Sequence, residues 1–363
     1  MKKKYLLILC SCILSLTMVL ASIMPGMKDV QGISKVYQVK AEDGVITSGD
    51  WEYKIYNSYN DEIEITKYNG NDKELKVPET IDEHKVVSIS QFAIDYEPLT
   101  TITFPKTIES IGSSGQEFRK GKNLTSIKVE DSQYGDKYWT DEDGTLYSYY
   151  MTHTDQDQTE YTDYLTLIYC PKARNSKSYT IDDKVTAIDR DAFADCYSLE
   201  EVKLRNGVQK IEVGAFTNCT NLTSLDLPKS VKKIGYNAFV RCDKLASYNV
   251  AKENESYCDV DGVLYTKNKM KLVSYPRGKE AADQTYVVDS SCKELEQSAF
   301  STDKLKKIIL PNGLQKIGSF ALDCRNLESI EIPDTVTTLG RYILGSNSKI
   351  KQLVLPTSIT TIE

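Results

Sequence analysis

Catalysis by this chain would have to begin from a short supply of general bases. Its 363 residues include 2 histidines, His84 and His153, and neither stands beside a serine or cysteine in a nucleophile motif. A hydrolase of that kind needs a nucleophile whose proton a neighbouring base removes. No Gly-x-Ser-x-Gly elbow and no phosphate-cradling glycine loop occurs. Acidic residues number 52, but no pair is set apart by the apolar surroundings that would split two carboxyl pKa values for glycoside hydrolysis. Asp141-Glu142-Asp143-Gly144 and Asp259-Val260-Asp261-Gly262 supply the opening of a calcium loop without its later oxygens and closing Glu, so each reads as a turn. There is no Cys-x-x-Cys and no Cys/His cluster to hold zinc. The reading is therefore not an enzyme, with no cofactor and no metal.

The chemistry that remains is recognition. Of 24 tyrosines, a dense group lies at Tyr134, Tyr138, Tyr147, Tyr149, Tyr150, Tyr161, Tyr164 and Tyr169, together with Trp139. Tyr and Trp supply large, rigid contact area at low entropic cost, with a polar handle for hydrogen bonding. Trp139, Tyr147, Tyr149, Tyr150, Tyr161 and Tyr164 are the candidate binding residues, and the expected partner is an extracellular protein or polysaccharide. Strand alternation puts Tyr147 and Tyr149 on one face and Tyr150 near the turn. Asp155, Asp157, Glu160 and Asp163 make the tip acidic. The plainer alternative, that the rings pack the hairpin onto its support, applies first to Trp139 and Tyr169.

The elements that must position these residues begin after a leader. Lys2, Lys3 and Lys4 precede an uncharged apolar run from Tyr5 to about Met24. Residues 1–41 thus read as a secretory signal, cleaved after Ala41 or, alternatively, after Ala21. An uncleaved anchor is the other reading, and it is the only membrane contact expected. Removing residues 1–41 takes six lysines and one aspartate from the 45 basic and 52 acidic residues, leaving 39 against 51, or −12. Such a surface repels phosphate backbones, so no nucleic-acid role is expected. The chain is expected to be secreted or associated with the cell wall.

Beyond the leader the sequence repeats. Val185, Ile188, Ala192, Phe193, Cys196, Leu199, Val202 and Leu204 recur 23 residues on as Val208, Ile211, Ala215, Phe216, Cys219, Leu222, Leu225 and Leu227, and again from Val231. Looser copies run from Val86 to Val129 and from Cys292 to Leu355, giving eight full turns. A Leu-x-x-Leu-x-Leu segment puts its last two apolar residues on one face of a short strand, and the following prolines, such as Pro228 and Pro311, end it. One such turn cannot bury its own apolar face, so neighbours stack around a continuous core with a parallel sheet along one side. Cys196, Cys219 and Cys242 share one repeat position and read as buried thiols. Asn123, Asn221 and Asn326, each just before a strand Leu, are expected to satisfy loop backbone groups.

The pattern Val-x-x-Ile-x-x-x-Ala-Phe-x-x-Cys-x-x-Leu-x-x-Leu-x-Leu-Pro resembles the BspA-type leucine-rich repeats of bacterial surface proteins over about residues 50–363. The resemblance implies a secreted or wall-associated protein that binds host matrix, other bacteria or polymers. The expected fold is an α/β-type repeat solenoid, mostly β: a curved leucine-rich array with a parallel sheet and inserted β-hairpins. An N-terminal β cap is expected at 46–85 and the solenoid at 86–363. Hairpin inserts are expected at about 130–180 and 252–288, where Asp-x-Asp-Gly-x-Leu-Tyr occurs twice. The first insert is longer by 13 residues, with Leu146 to Leu167 spanning 21 residues against 8 from Leu264 to Leu272, and it is expected to project from the array.

Two functions follow from this plan. The first is an adhesin-like binding module. The second is a structural spacer or scaffold carrying further C-terminal domains, an expectation tied to the absence of a polar cap before Glu363. The exposed strand positions, among them Glu201, Lys203, Ser224, Asp226, Ser247 and Asn249, are small, polar and of mixed charge. They lack the aromatic anchors of an interface hot spot.

Overall fold

The computed structural model describes residues 44–94, 96–112, 118, 121–153 and 161–363, and at 150–153 and 161–163 the backbone alone. The leader 1–41 and the acidic residues Asp155, Asp157 and Glu160 lie outside the described residues.

The described chain is a mostly β solenoid of about twelve turns. Each turn has a front strand and a returning strand. The front strands form three parallel ladders: Glu74–Lys76 to Ser126–Val129, Ser178–Thr180 to Ser247–Val250, and Thr285–Val287 with Lys307–Ile309. In the middle ladder Glu201 pairs with Ser224 and Ser224 with Ser247, so the 23-residue period becomes the register. Leu225 and Leu227 are buried while Asp226 between them is exposed, as a strand with one buried face requires.

The sequence reading of eight turns undercounts. Three returning strands, Glu62–Tyr68, Tyr161–Tyr169 and Lys271–Ser274, lack the Ala-Phe spacing yet begin the three returning ladders. The expected α/β character is also corrected. No α-helix occurs among the described residues, and the named helical segment is a single 3-10 turn at Ala282–Gln284. The cause lies just before the Ala-Phe pair, where Asp191, Gly214 and Asn237 hold φ of 56°, 69° and 59°. A left-handed residue in every turn stops helix propagation.

The paired apolar positions build the core. Phe193, Phe216 and Phe300 are fully buried and Phe239 nearly so. Phe193 and Phe216 stack at 5.0 Å and 7°, and Phe216 and Phe239 at 5.8 Å and 20°. Phe300 stacks instead on Tyr275, because a meander separates it from Phe239. The repeat-position thiols Cys196, Cys219 and Cys242 are buried and free of disulfides. Cys219 donates to the Phe193 carbonyl at 3.1 Å and Cys242 to the Phe216 carbonyl at 3.1 Å. The looser turn at 302 has a related bond from a different residue: Thr302 Oγ1 donates to the Arg277 carbonyl at 2.8 Å, two residues beyond Tyr275, the counterpart of Phe193. The asparagines cap loops as expected, with Asn123, Asn221 and Asn326 each donating to a carbonyl one turn earlier.

Each returning ladder opens on a three-stranded antiparallel meander. These are Ile46–Ser48 with Trp51–Asn57 and Glu62–Tyr68; Tyr138–Thr140 with Leu146–His153 and Tyr161–Tyr169; and Tyr257–Val260 with Val263–Thr266 and Lys271–Ser274. The second and third meanders act as partitions across the solenoid. Leu146 and Tyr169 pack into the core before the second meander, while Tyr147, Leu165 and Leu167 pack into the core after it. In the third, Leu264 faces back and Val263, Tyr265 and Leu272 face forward.

Two devices seal each partition to the turn before it. Tyr138 Oη accepts a bond from Ile111 N at 3.4 Å, and Tyr257 Oη accepts one from Ile234 N at 2.9 Å. An otherwise open strand edge is thereby covered. The carbonyls of Gly144 and Gly262 accept bonds from Ile127 N and Tyr248 N. Both glycines have positive φ, 74° and 73°, and a Cβ would lie 2.4 Å from Ser126 Oγ or 2.9 Å from Ser247 Cβ. Only glycine can turn the chain that close to its neighbour.

Candidate functional site

The second meander carries every candidate binding residue, so its geometry decides what each can do. Asp141 organises the base. Its Oδ1 accepts Thr145 N at 2.8 Å, closing the four-residue turn. Its Oδ2 accepts the hydroxyls of Tyr147 at 3.0 Å and Tyr179 at 2.7 Å, and these two hydroxyls also meet each other. Arg174 lies 4.6 Å over the Tyr179 ring and pairs with Asp143 at 2.6 Å. Burial is the main cause that pushes the Tyr147 and Tyr179 hydroxyls far above the ordinary tyrosine range, with the Asp141 charge adding to it.

Tyr147 is therefore corrected as a contact residue. It is 2% exposed, and its ring and hydroxyl are both committed to the fold. Strand alternation puts Tyr147 and Tyr149 on one face. In a partition both faces are covered, so alternation tells which core a residue joins and not whether solvent reaches it. Tyr169 is buried too, against Phe118 at 5.1 Å.

The other candidates lie further from the core. Trp139 is half-buried and stacks on Tyr147 at 4.5 Å and 11°. Tyr134, 45% exposed, meets Trp139 edge-on at 5.9 Å and Tyr149 at 5.8 Å. The Lys184 ammonium sits 4.0 Å over the Tyr134 ring. Tyr149 and Tyr164 are half-buried, and the side chains of Tyr150 and Tyr161 lie outside the described residues. The structure thus brings Trp139, Tyr147 and Tyr149 into one aromatic group and adds Tyr134, Tyr179 and Lys184. Tyr179 could have been found from the sequence, since 23 residues separate it from Val202 in the repeat frame.

The strands of this meander outrun the array. Leu146–His153 and Tyr161–Tyr169 pair from Leu146↔Tyr169 to His153↔Tyr161. The returning ladder takes up only Leu165 to Leu167, and the first strand covers only Leu146 to Ser148. From Tyr150↔Tyr164 outward, the two strands pair with each other alone among the described residues. In the third meander the corresponding strands end within the array. Elsewhere, no group of three or more potential metal-ligating side chains is found among the described residues.

A family model supplies the remaining evidence. The BspA-type leucine-rich repeat region matches residues 71–137, 169–267 and 282–363, in 6 copies. The chain belongs to the BspA-type leucine-rich repeat family. The match leaves out 138–168, almost all of the second meander, while it runs through the first two strands of the third. Solved structures agree on the fold of this BspA-type chain. A leucine-rich cell surface protein from Faecalibacterium prausnitzii is 21% identical with a TM-score of 0.54, covering 88% of this chain and 94% of that one. The pneumococcal vaccine antigen PcpA is 23% identical with a TM-score of 0.50, covering 88% and 77%. At these identities the likeness is one of fold. Among curated proteins none is significantly similar to the chain.

Proposed function

We propose that this chain is a secreted or cell-surface repeat protein that binds an extracellular protein or polysaccharide through its second meander, in an adhesin-like role and without catalysis. The observation that carries this reading is the surplus ribbon. The pairs from Tyr150↔Tyr164 to His153↔Tyr161 add nothing to the array's ladders, and the repeat model does not extend over them. A paired ribbon that extends none of the array's ladders, and that carries Tyr150, Tyr161 and Tyr164, has the form of a contact element. Trp139 and Tyr149 extend the surface at its base; Tyr147 supports it from within. An extracellular location is in keeping with the description of the F. prausnitzii protein as a cell surface protein.

A spacer is the second reading, and the front face favours it. Glu201, Lys203, Asp226 and Asn249 are exposed, and Asn249 is tied to Asp226 at 2.7 Å across turns. Such a face is polar, regular and without anchors. The two readings part in one experiment. Residues 150–164 are replaced by Asn-Gly, which closes the Tyr149↔Leu165 pair with a two-residue turn. Intact and shortened chains are then used to capture material from extracellular-matrix and cell-wall preparations. Binding predicts material held by the intact chain and lost from the shortened one. No capture by either supports the spacer; equal capture by both overturns the ribbon as the contact element and leaves binding to the rest of the chain.

A further inference from the structure

A cleft of about 300 Å³ opens where the second meander meets the front sheet. Trp139 forms one wall, and Thr180, Asp182, Asp183 and Arg205 form the rim. This volume stands at the low end of the range of about 300–1,000 Å³ common for small-molecule sites.

The scaffold does not call for a tryptophan here. In the second meander Trp139 pairs with Tyr147, and in the third the same register pairs Cys258 with Tyr265. Both buried tyrosines do the same job, bonding to the tyrosine of the next front strand: Tyr147 to Tyr179, and Tyr265 to Tyr286 at 2.9 Å. A small side chain thus satisfies the fold at this position, and the indole is an addition. The indole also carries an unmet need, because its Nε1 is buried without a hydrogen-bond partner among the described residues. A buried orphan donor is costly to keep. The rim differs in the same way. Asp289, three residues after Tyr286, is neutralised by Lys269 at 3.3 Å, whereas its counterpart Asp182, three residues after Tyr179, keeps the turn bond from Lys184 N at 2.9 Å and has no ion pair among the described residues; the neighbouring Asp183 has Arg205 at 3.9 Å, with both side chains largely exposed.

The chemistry of the cleft selects its occupant. An aromatic wall offers a flat apolar face. Asp182 and Asp183 accept hydrogen bonds, Arg205 donates them, and Thr180 does both. A cationic ligand would suit the carboxylates and leave Arg205 and the indole without an acceptor. An anion would meet three carboxylates, since Asp141 also lines the cleft. A purely apolar molecule would leave the whole rim unpaired. A pyranose has an apolar C–H face and a ring of hydroxyls that donate and accept. We propose that this cleft binds one or two pyranose units of a neutral oligosaccharide, with Trp139 as the stacking wall and Asp182, Asp183 and Arg205 reading the hydroxyls. The inference deepens the binding reading above and rests on it, but it places the sugar at the meander's base and not on its ribbon.

The test uses the full secreted chain carrying Trp51→Phe, which leaves Trp139 as its reporter indole. An array of neutral and sulfated oligosaccharides is screened first. The strongest neutral binder is then titrated by calorimetry and by tryptophan fluorescence, with trilysine as the cationic control. Saturable binding of a neutral oligosaccharide that shifts the Trp139 emission is expected. Trp139→Ala should weaken it about tenfold or more, as loss of an aromatic anchor does. The exposed-rim variants Asp183→Asn and Arg205→Ala should each weaken it while leaving the unfolding temperature unchanged, so the test does not depend on how the tryptophan variant folds. The chain with 150–164 replaced by Asn-Gly should bind the sugar with unchanged affinity, which separates this site from the ribbon. The proposal is overturned if no neutral oligosaccharide binds, if trilysine or only sulfated sugars bind, or if the rim variants bind as tightly as the parent.

Discussion

The second and third meanders are built on one plan and finished differently. Both turn on a positive-φ glycine seated against the preceding strand, both bury a tyrosine bonded to a tyrosine of the next front strand, and both cover the previous strand edge with a tyrosine hydroxyl. In the third, nothing is left over. In the second, a ribbon runs on to His153↔Tyr161 and a tryptophan stands where the third has Cys258. The shared parts are what a partition needs in order to divide one solenoid core from the next. The unshared parts are free of that need, and there a functional reading has physical room.

The comparison can be broken by substitutions in the shared parts. The largest effect is expected away from both meanders, in the stacked core they divide. Phe216→Ala, at the centre of the Phe193–Phe216–Phe239 stack, should cost about 3–5 kcal/mol in urea unfolding. Next come the seated glycines. Gly144→Ala and Gly262→Ala should each cost about 1–3 kcal/mol, from positive φ and from a Cβ under 3.0 Å from the neighbouring strand. Gly49→Ala serves as control, since it also has positive φ, 58°, but meets nothing within 4 Å. It should cost less than either. Equal losses at all three would mean that the seating does not matter.

The buried tyrosines sharpen the comparison through pH. Burial raises Tyr265 from 10.0 to about 12, and it raises Tyr147 and Tyr179 further. The folded chain keeps these protons where the unfolded chain would release them. Their contribution is therefore complete below pH 10 and is lost as pH climbs toward 12 and beyond. Stability measured from pH 9 to 12 should fall with rising pH, and Tyr265→Phe should flatten that fall. An unchanged slope in the variant would contradict the assignment.

Much of this was legible in the sequence, and the gaps have physical causes. The 23-residue period was readable because Ala215, Phe216 and Cys219 recur in register with Ala192, Phe193 and Cys196. The turns at Asp141–Gly144 and Asp259–Gly262 were readable because glycine and aspartate mark turns. Tyr147 was misplaced because a strand within a partition buries both of its faces, and periodicity distinguishes faces without telling which is covered. The twelve turns were read as eight because strands such as Lys271–Ser274 fill a turn's place without its motif. Thr302 escaped notice in the thiol's niche because what the niche selects is a small buried donor, not sulfur. The helical part of the α/β expectation failed on left-handed residues such as Asp191, which carry no strong sequence mark.

The ribbon of the second meander is surplus to the fold, while its base is not. Thermal unfolding of the chain with 150–164 replaced by Asn-Gly tests this most directly. The account predicts a single cooperative transition within about 2 °C of the parent, the shift expected from well under 1 kcal/mol in a domain of this size. A fall in Tm as large as that of Phe216→Ala, or a transition split in two, would contradict it and return the ribbon to the scaffold.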